Sequence, residues 1–272
     1  MNMLSFIIMG KIEKTCIFLF SGTGMTRYVI EKVRHELAAL QGAADVFDIE
    51  DTDPAGAAYD NYDAIGIAYP VHSFNAPKIV IDFARKLPAA DKKSAFIISS
   101  AGAGHYLNFA SSRLLISVLR KKGFEVFYDR QFVMPSNFLI KDGDAKVKSN
   151  IRDAAEKAVQ AAREISEGLP YRQKDGLIAR LICFIGRIEW AGTKYIGRRF
   201  YADDTCDRCG VCAGRCPSRN ISVEQDRVSF KSKCGLCMRC FYVCPNNSIK
   251  IRRPFNSFRF DSWYDDGDLS GR

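Results

Sequence analysis

Apolar residues in the first 170 positions come in short blocks, and the stretches between them carry apolar residues at helical spacing. The blocks fall at 15–20 (TCIFLF), 45–49 (DVFDI), 63–69 (DAIGIAY), 94–99 (SAFIIS) and 124–128 (FEVFY). Their length and their β-branched and aromatic content predict strands. The intervening stretches at about 26–41, 77–87, 106–122 and 144–167 predict helices. Strands that are apolar nearly throughout, alternating with helices, indicate an α/β domain: a doubly wound, five-stranded parallel sheet covered on both faces. In such sheets a ligand sits beyond the carboxyl ends of the strands, where the strand order reverses. The loops after the first, third and fourth strands are therefore the candidate site.

The first of these loops contains Ser21, Gly22, Thr23, Gly24, Met25 and Thr26 and runs straight from a strand into a helix. Backbone N–H groups and the helix dipole can face an anion there. Three hydroxyls suit a terminal phosphate monoester better than a bridging pyrophosphate. Arg27 stands where a dinucleotide fingerprint needs its third glycine. The bland alternative is a small-residue turn with no ligand. The second loop holds Pro70, Val71, His72, Ser73, Phe74 and Asn75, and the third holds Ser99, Ser100, Ala101, Gly102, Ala103 and Gly104. Residues 134–138 (MPSNF) lie past the last strand, where they could cover the rim of a site.

The first loop resembles the phosphate loop of the flavodoxin family, S/T-x-T-G-x-T, which binds the phosphate of FMN. That resemblance implies FMN as cofactor. It gives the second loop the role of flanking the isoalloxazine, with His72 and Phe74 as stacking candidates and Asn75 as a hydrogen-bond partner. In the third loop, Ser99, Ser100, Gly102 and Gly104 would bring main-chain N–H groups to the flavin's pyrimidine edge.

The C-terminal quarter has a different character. Cys206, Cys209, Cys212 and Cys216 form a C-x2-C-x2-C-x3-C-P run, and Cys234, Cys237, Cys240 and Cys244 repeat it at an offset of 28 residues. Three cysteines at that spacing can clasp three corners of an iron–sulfur cubane, while the fourth is carried away by its proline to the other cube. The expected sets are Cys206, Cys209, Cys212 and Cys244 for one [4Fe–4S] cluster, and Cys234, Cys237, Cys240 and Cys216 for the second. Zinc is the competing reading, but a third cysteine so close crowds a single tetrahedral ion. The repeat extends to "CPSRNISV" and "CPNNSIKI", a cluster loop followed by a short strand. Residues 201–254 resemble the bacterial two-cluster ferredoxin module, a small α+β domain. Cys16 and Cys183 lie in apolar runs and read as buried residues.

The net charge of +9 is uneven, with +1 over 1–171, +5 over 172–200 and +3 over 201–272. Two oxidised clusters and a flavin phosphate bring about −6, so part of the excess balances bound groups. Between the two parts, Leu177, Leu181, Phe184, Ile185, Ile188 and Tyr195 gather on one side of a helical wheel, flanked by Arg180, Arg187, Lys194 and Arg198. The favoured expectation is a connector packing that apolar side on a domain. A membrane-surface helix over 177–200 or a docking strip for an acidic redox carrier are the sharper alternatives. No nucleic-acid motif accompanies the charge. The N-terminal stretch lacks a secretory pattern, and eight clustered cysteines point to metal, so a cytoplasmic setting is expected.

Across essentially its whole length the chain resembles the flavodoxin–ferredoxin fusion proteins of anaerobic bacteria and archaea. The resemblance divides it into a flavodoxin-like FMN domain (1–171), a basic helical connector (172–200), a two-cluster ferredoxin domain (201–254) and a tail (255–272). It implies electron transfer between an external carrier, two [4Fe–4S] clusters and FMN, with a ferredoxin-like or acidic protein, or a small-molecule acceptor, as partner. The alternative is an FMN-dependent oxidoreductase acting on a small organic substrate.

Overall fold

The structure is a computed structural model and describes residues 10–102, 106–136, 142–224 and 227–252. Ala103, Gly104 and the tail at 255–272 lie outside the described residues, as do positions 137 and 138 of the expected rim segment.

Six strands form one parallel sheet: β1 (Lys14–Leu19), β2 (Ala43–Asp48), β3 (Ala64–Pro70), β4 (Lys93–Ala101), β5 (Phe124–Val133) and β6 (Tyr171–Arg172). Their order, β2-β1-β3-β4-β5-β6, is the flavodoxin-like order with one strand added at the edge. Side-chain alternation builds two cores. Ile17 and Leu19 of β1 face the layer of α1 (Met25–Gln41) and α4 (Asp144–Ser166), while Cys16 and Phe18 face α2 (Lys78–Lys86) and α3 (Arg113–Lys121). Four alanines of α4, Ala154, Ala158, Ala161 and Ala162, are buried in the first core and let that helix lie close to its neighbours.

The expected five strands become six, and β5 runs past position 128. Polar Asp129, Arg130 and Gln131 hide its continuation from a hydrophobicity reading, yet all three pair with β4. Arg130 is sheltered by an ion pair to Glu164 at 3.2 Å and by the Tyr171 ring, 4.3 Å from its guanidinium carbon. Tyr171 and Arg172, read from sequence as the end of one domain and the start of a connector, make β6 against Tyr128 and Asp129. The helix expected over 106–122 is divided into a 3₁₀ turn, Tyr106–Ala110, and α3. Ser111 and Ser112 between them are buried, and Ser112 donates to Asp129 at 2.5 Å.

Burial pushes the Asp129 carboxyl up from 3.8 to about 6, against the hydrogen bond from Ser112. Its folded-state pKa lies above the unfolded one, so the folded state holds the proton more tightly. Stability from this group is full below pH ~4 and is lost as pH rises to ~6, by about 3 kcal/mol at most. Asp129→Asn keeps an acceptor for Ser112 and removes the charge. Urea unfolding at pH 4 and pH 7.5 should show the variant gaining about 1–3 kcal/mol on the parent between those values. An unchanged difference would show that Asp129 does not titrate in this window.

Beyond the sheet come α5 (Leu177–Gly186), α6 (Glu189–Gly197), β7 (Phe200–Ala202), α7 (Val211–Gly214), β8 (Ile221–Val223), β9 (Val228–Phe230), α8 (Arg239–Tyr242) and β10 (Ile249–Ile251). Antiparallel pairs β7–β10 and β8–β9 enclose a small core that includes Phe200, Leu236, Phe241, Ile249 and Ile251. The 28-residue repeat is structural as well as sequential. α7 maps onto α8 and β8 onto β10, and left-handed backbone recurs at Arg208 and Leu236, Gly210 and Met238, and Arg219 and Asn247. Such backbone at five non-glycine positions is unfavourable in isolation and marks loops shaped by what they surround.

The apolar side of the connector does not pack inward as expected. Ala179, Cys183, Thr193 and Gly197 are buried, whereas Leu177, Leu181, Phe184, Ile185, Ile188 and Tyr195 are exposed. The small side chains win the inner face because α5 lies directly on the 3₁₀ turn, with Ala179 and Cys183 packed on Ala110.

Candidate functional site

The three loops beyond β1, β3 and β4 meet around a cavity of ≈ 290 Å³. From the first loop it is lined by Ser21, Gly22, Thr23, Met25 and Thr26; from the second by Pro70, Val71, His72 and Ser73; from the third by Ser100, Ala101 and Gly102. A hydrogen bond of 2.9 Å between Thr26 Oγ1 and Ser100 Oγ ties the first loop to the third. Gly24 does not line the cavity; its φ of 96° turns the chain into α1. No acidic residue stands in the first turn of that 17-residue helix, so its dipole is not offset there.

The donor set fits a flavin mononucleotide. Hydroxyls and the helix start gather at the first loop, where a phosphate monoester needs donors. Pro70, Val71, Met134 and Pro135 supply an apolar wall suited to an aromatic ring. Gly102 passes so close to Ser136 that an added Cβ would lie 2.9 Å from its Cα, so no larger residue fits there without displacing the chain. His72 is neutral at ordinary pH, because burial lowers its pKa to about 4.

Two second-loop candidates lie elsewhere. Phe74 does not line the cavity. Asn75 is buried and spends its amide on α5: Nδ2 donates to the Cys183 carbonyl at 2.7 Å, and Oδ1 accepts from the Cys183 thiol at 3.0 Å. Ser99 is likewise buried outside the cavity lining.

The remaining wall comes from the cysteine-rich part. Leu236, Cys237 and Met238 close the cavity from one side, and Glu189 at the start of α6 closes another. Burial raises the Glu189 pKa, against a hydrogen bond with Ser73. Gly22 faces Cys237 so closely that a Cβ would fall 2.3 Å from the Cys237 carbonyl oxygen. Arg239, two residues on, donates to the Ser21 carbonyl at 2.6 Å and to the Arg215 carbonyl at 3.2 Å, and pairs with Glu50 beyond β2. One guanidinium thus joins the first loop, the end of β2 and both cysteine runs. Nothing in the local pattern around Leu236, Met238 or Glu189 marks them as site residues; their role appears only when the loops are brought together. The rim expected from residues 134 and 135 is present as Met134 and Pro135.

The eight cysteines divide by their surroundings. Burial raises Cys212 to about 11, with further increments from Cys244, Cys206 and Cys209. Burial likewise raises Cys234 to about 12, with Cys237 and Cys216 adding to it, and Cys237 to about 11, with Cys216 adding. Cys240 is raised by burial, then by Cys237, Cys234 and Cys216, and least by Cys212. Cys216 therefore stands among the second run, and Cys244 beside the first. Backbone N–H groups point at sulfur with the same repeat: Asn220 to Cys216 and Ser248 to Cys244, each at 3.2 Å. Thiols so buried and crowded ionise only with a strong cation among them. Among the described residues no three Cys, His, Asp or Glu side chains converge on a single metal ion. A cubane takes each thiolate on a different iron and does not require such convergence.

A family model described as "Flavodoxin domain" matches residues 16–107. DNA-directed RNA polymerase subunit Rpo3 of Methanosarcina acetivorans is 41% identical over 61 residues, 21% of this chain and 23% of that protein. Polyferredoxin protein MvhB of Methanothermus fervidus is 38% identical over 47 residues, 17% of this chain and 11% of that protein. The chain thus spans less than a quarter of the length of these curated relatives. Among solved structures, a flavodoxin from the domain Archaea aligns with 56% of this chain and 97% of its own, at 11% identity and a TM-score of 0.35. General stress protein 14 of Treponema denticola in complex with FMN aligns with 56% and 99%, at 12% identity and a TM-score of 0.42.

Proposed function

We propose that the chain is an iron–sulfur flavoprotein that passes electrons between an external one-electron carrier, two [4Fe–4S] clusters and FMN. One observation carries the reading: Cys237, a cysteine of the second run, is part of the wall of the flavin cavity. FMN exchanges one or two electrons and cubanes exchange one, so a cluster beside a flavin joins the two kinds of chemistry.

Ser21, Thr23 and Thr26 hold the phosphate in this reading, and residues 70–73 and 100–102 hold the ring. Cys234, Cys237, Cys240 and Cys216 carry the cluster next to FMN; Cys206, Cys209, Cys212 and Cys244 carry the other. Arg239 keeps the two parts in register. The partner is a redox protein or a small-molecule acceptor. A cavity of ≈ 290 Å³ is at the lower end for a bound cofactor, which favours electron transfer over an organic substrate bound together with the flavin.

Protein purified without oxygen should contain about eight irons, about eight sulfides and one FMN per chain. Reductive titration should then take up about four electrons, two on FMN and one on each cluster. Zinc in place of iron, or an absence of FMN after reconstitution, would overturn the proposal.

A further inference from the structure

Twelve large apolar side chains stand exposed among the described residues, and seven of them fall between Leu177 and Tyr195. Leu177 is 79% exposed and Ile188 72%. In α5 the positions 177, 178, 181, 184 and 185 share one face, and Ile188 and Tyr195 continue it through the turn and α6. The opposite face is firmly seated. Cys183 is bonded to Asn75 and to the Ala110 carbonyl, and a Cβ on Gly186 would meet the Ser73 carbonyl oxygen at 2.3 Å. The hairpin cannot turn over to hide its apolar side without breaking those contacts.

The charge around this face is predominantly basic. Arg180, Arg187, Lys194, Arg198 and Arg199 border it. Of the acids nearby, Glu189 lines the flavin cavity, and Asp175 is held by Arg113 at 2.8 Å and by Arg180 at 3.2 Å, which offsets part of the charge of those two arginines. The basic field continues over Arg113, Arg120, Lys121 and Arg172, which surround a hollow beside α3.

We propose that the α5–α6 hairpin docks this protein on an anionic lipid surface. Leu177, Ile178, Leu181, Phe184, Ile185 and Ile188 enter the acyl boundary, and the arginines and lysine reach the phosphate headgroups. Aliphatic residues and Phe on a ridge, bordered by Arg and Lys, are the arrangement of helices that lie in a membrane interface. None of these apolar side chains lines the flavin cavity, so the face is a surface separate from that site. Anionic headgroups complement the charge, each nearby cation adding to the attraction. Among the described residues no helix is long and apolar enough to cross a membrane, so the contact is peripheral. The hairpin also borders the flavin cavity through Glu189, which sets that cavity close to the lipid.

The test is flotation of the full cofactor-loaded chain with vesicles of phosphatidylcholine mixed with phosphatidylglycerol, against phosphatidylcholine alone. Binding should be at least about tenfold stronger to the anionic vesicles and should weaken with added salt. The triple variant Leu181→Asp, Phe184→Asp, Ile188→Asp changes exposed positions only and should lose binding while keeping its iron and FMN. The pair Lys194→Gln, Arg198→Gln should reduce the preference for anionic lipid several-fold. Equal or absent binding to both vesicle types would overturn the proposal, as would full binding by the triple variant. So would concentration-dependent self-association that the triple variant abolishes, which would make a second copy the occupant. Binding that appears only after residues 253–272 are deleted would assign the face to that segment of the chain.

Discussion

Cys216→Ser should leave about four irons per chain, and the cluster it loses should be the one assembled by the other cysteine run. Cys216 lies in the first run by sequence, but its thiol adds to the pKa elevation of Cys234, Cys237 and Cys240. The repeat-related Cys244 adds in the same way to Cys212. Both stand immediately before a proline and accept a backbone N–H at the same offset. The paramagnetic spectrum of reduced Cys216→Ser should match that of Cys240→Ser and differ from that of Cys212→Ser. A match to Cys212→Ser instead would return each run to its own cluster.

Gly22→Ala should weaken FMN binding by about 5- to 150-fold, through an overpacking penalty of about 1–3 kcal/mol. The added methyl would fall 2.3 Å from the Cys237 carbonyl oxygen, and a backbone atom cannot swing aside as a flexible side chain would. Either the phosphate loop or the second cysteine loop must move. Arg239 links both, through Ser21 and Glu50, so the displacement should reach the cluster as well as the flavin. Gly24→Ala is the control. Its Cβ would meet nothing within 4 Å, and its penalty is confined to a left-handed φ of 96°, worth about 1–2 kcal/mol of backbone strain. Fluorescence titration of FMN into the apo-flavin proteins checks both. Weaker FMN binding in Gly24→Ala than in Gly22→Ala would show that the approach to Cys237 is not what limits the site.

Much of the sheet was legible in the sequence, because β1, β3 and β4 are apolar on both faces and β2 and β5 contain short β-branched and aromatic blocks that stand apart from the helices. What escaped is local and has physical causes. β6 is two residues long and carries Tyr171 and Arg172, which resemble a linker until Tyr128 and Arg130 are set beside them. β5 continues through charged residues because Glu164 and Ser112 supply buried partners that sequence proximity does not show. The first loop and the cysteine spacing are short-range patterns; Ser21, Gly22, Thr23, Met25 and Thr26 line one cavity, while Gly24 does not. Phe74 and Asn75 left the cavity because α5, a hundred residues on, takes Asn75 as its anchor. Leu236, Met238 and Glu189 entered it for the converse reason. The connector was misread because helical periodicity identifies an apolar face without saying what it faces; Ala179 and Cys183 were the better guide, being small enough to sit on Ala110.

The adjacency of Cys237 and the flavin cavity is tested most directly by how fast electrons arrive at FMN. The measurement is rapid anaerobic mixing of a reduced one-electron carrier protein with the wild-type chain and with Cys216→Ser, following the bleaching of FMN at matched FMN content. Cys216 does not itself line the cavity, so its replacement reaches the flavin only through the cluster it helps to hold. FMN in the variant should be reduced at least about tenfold more slowly. Equal rates in the two proteins would contradict a path through the second cluster.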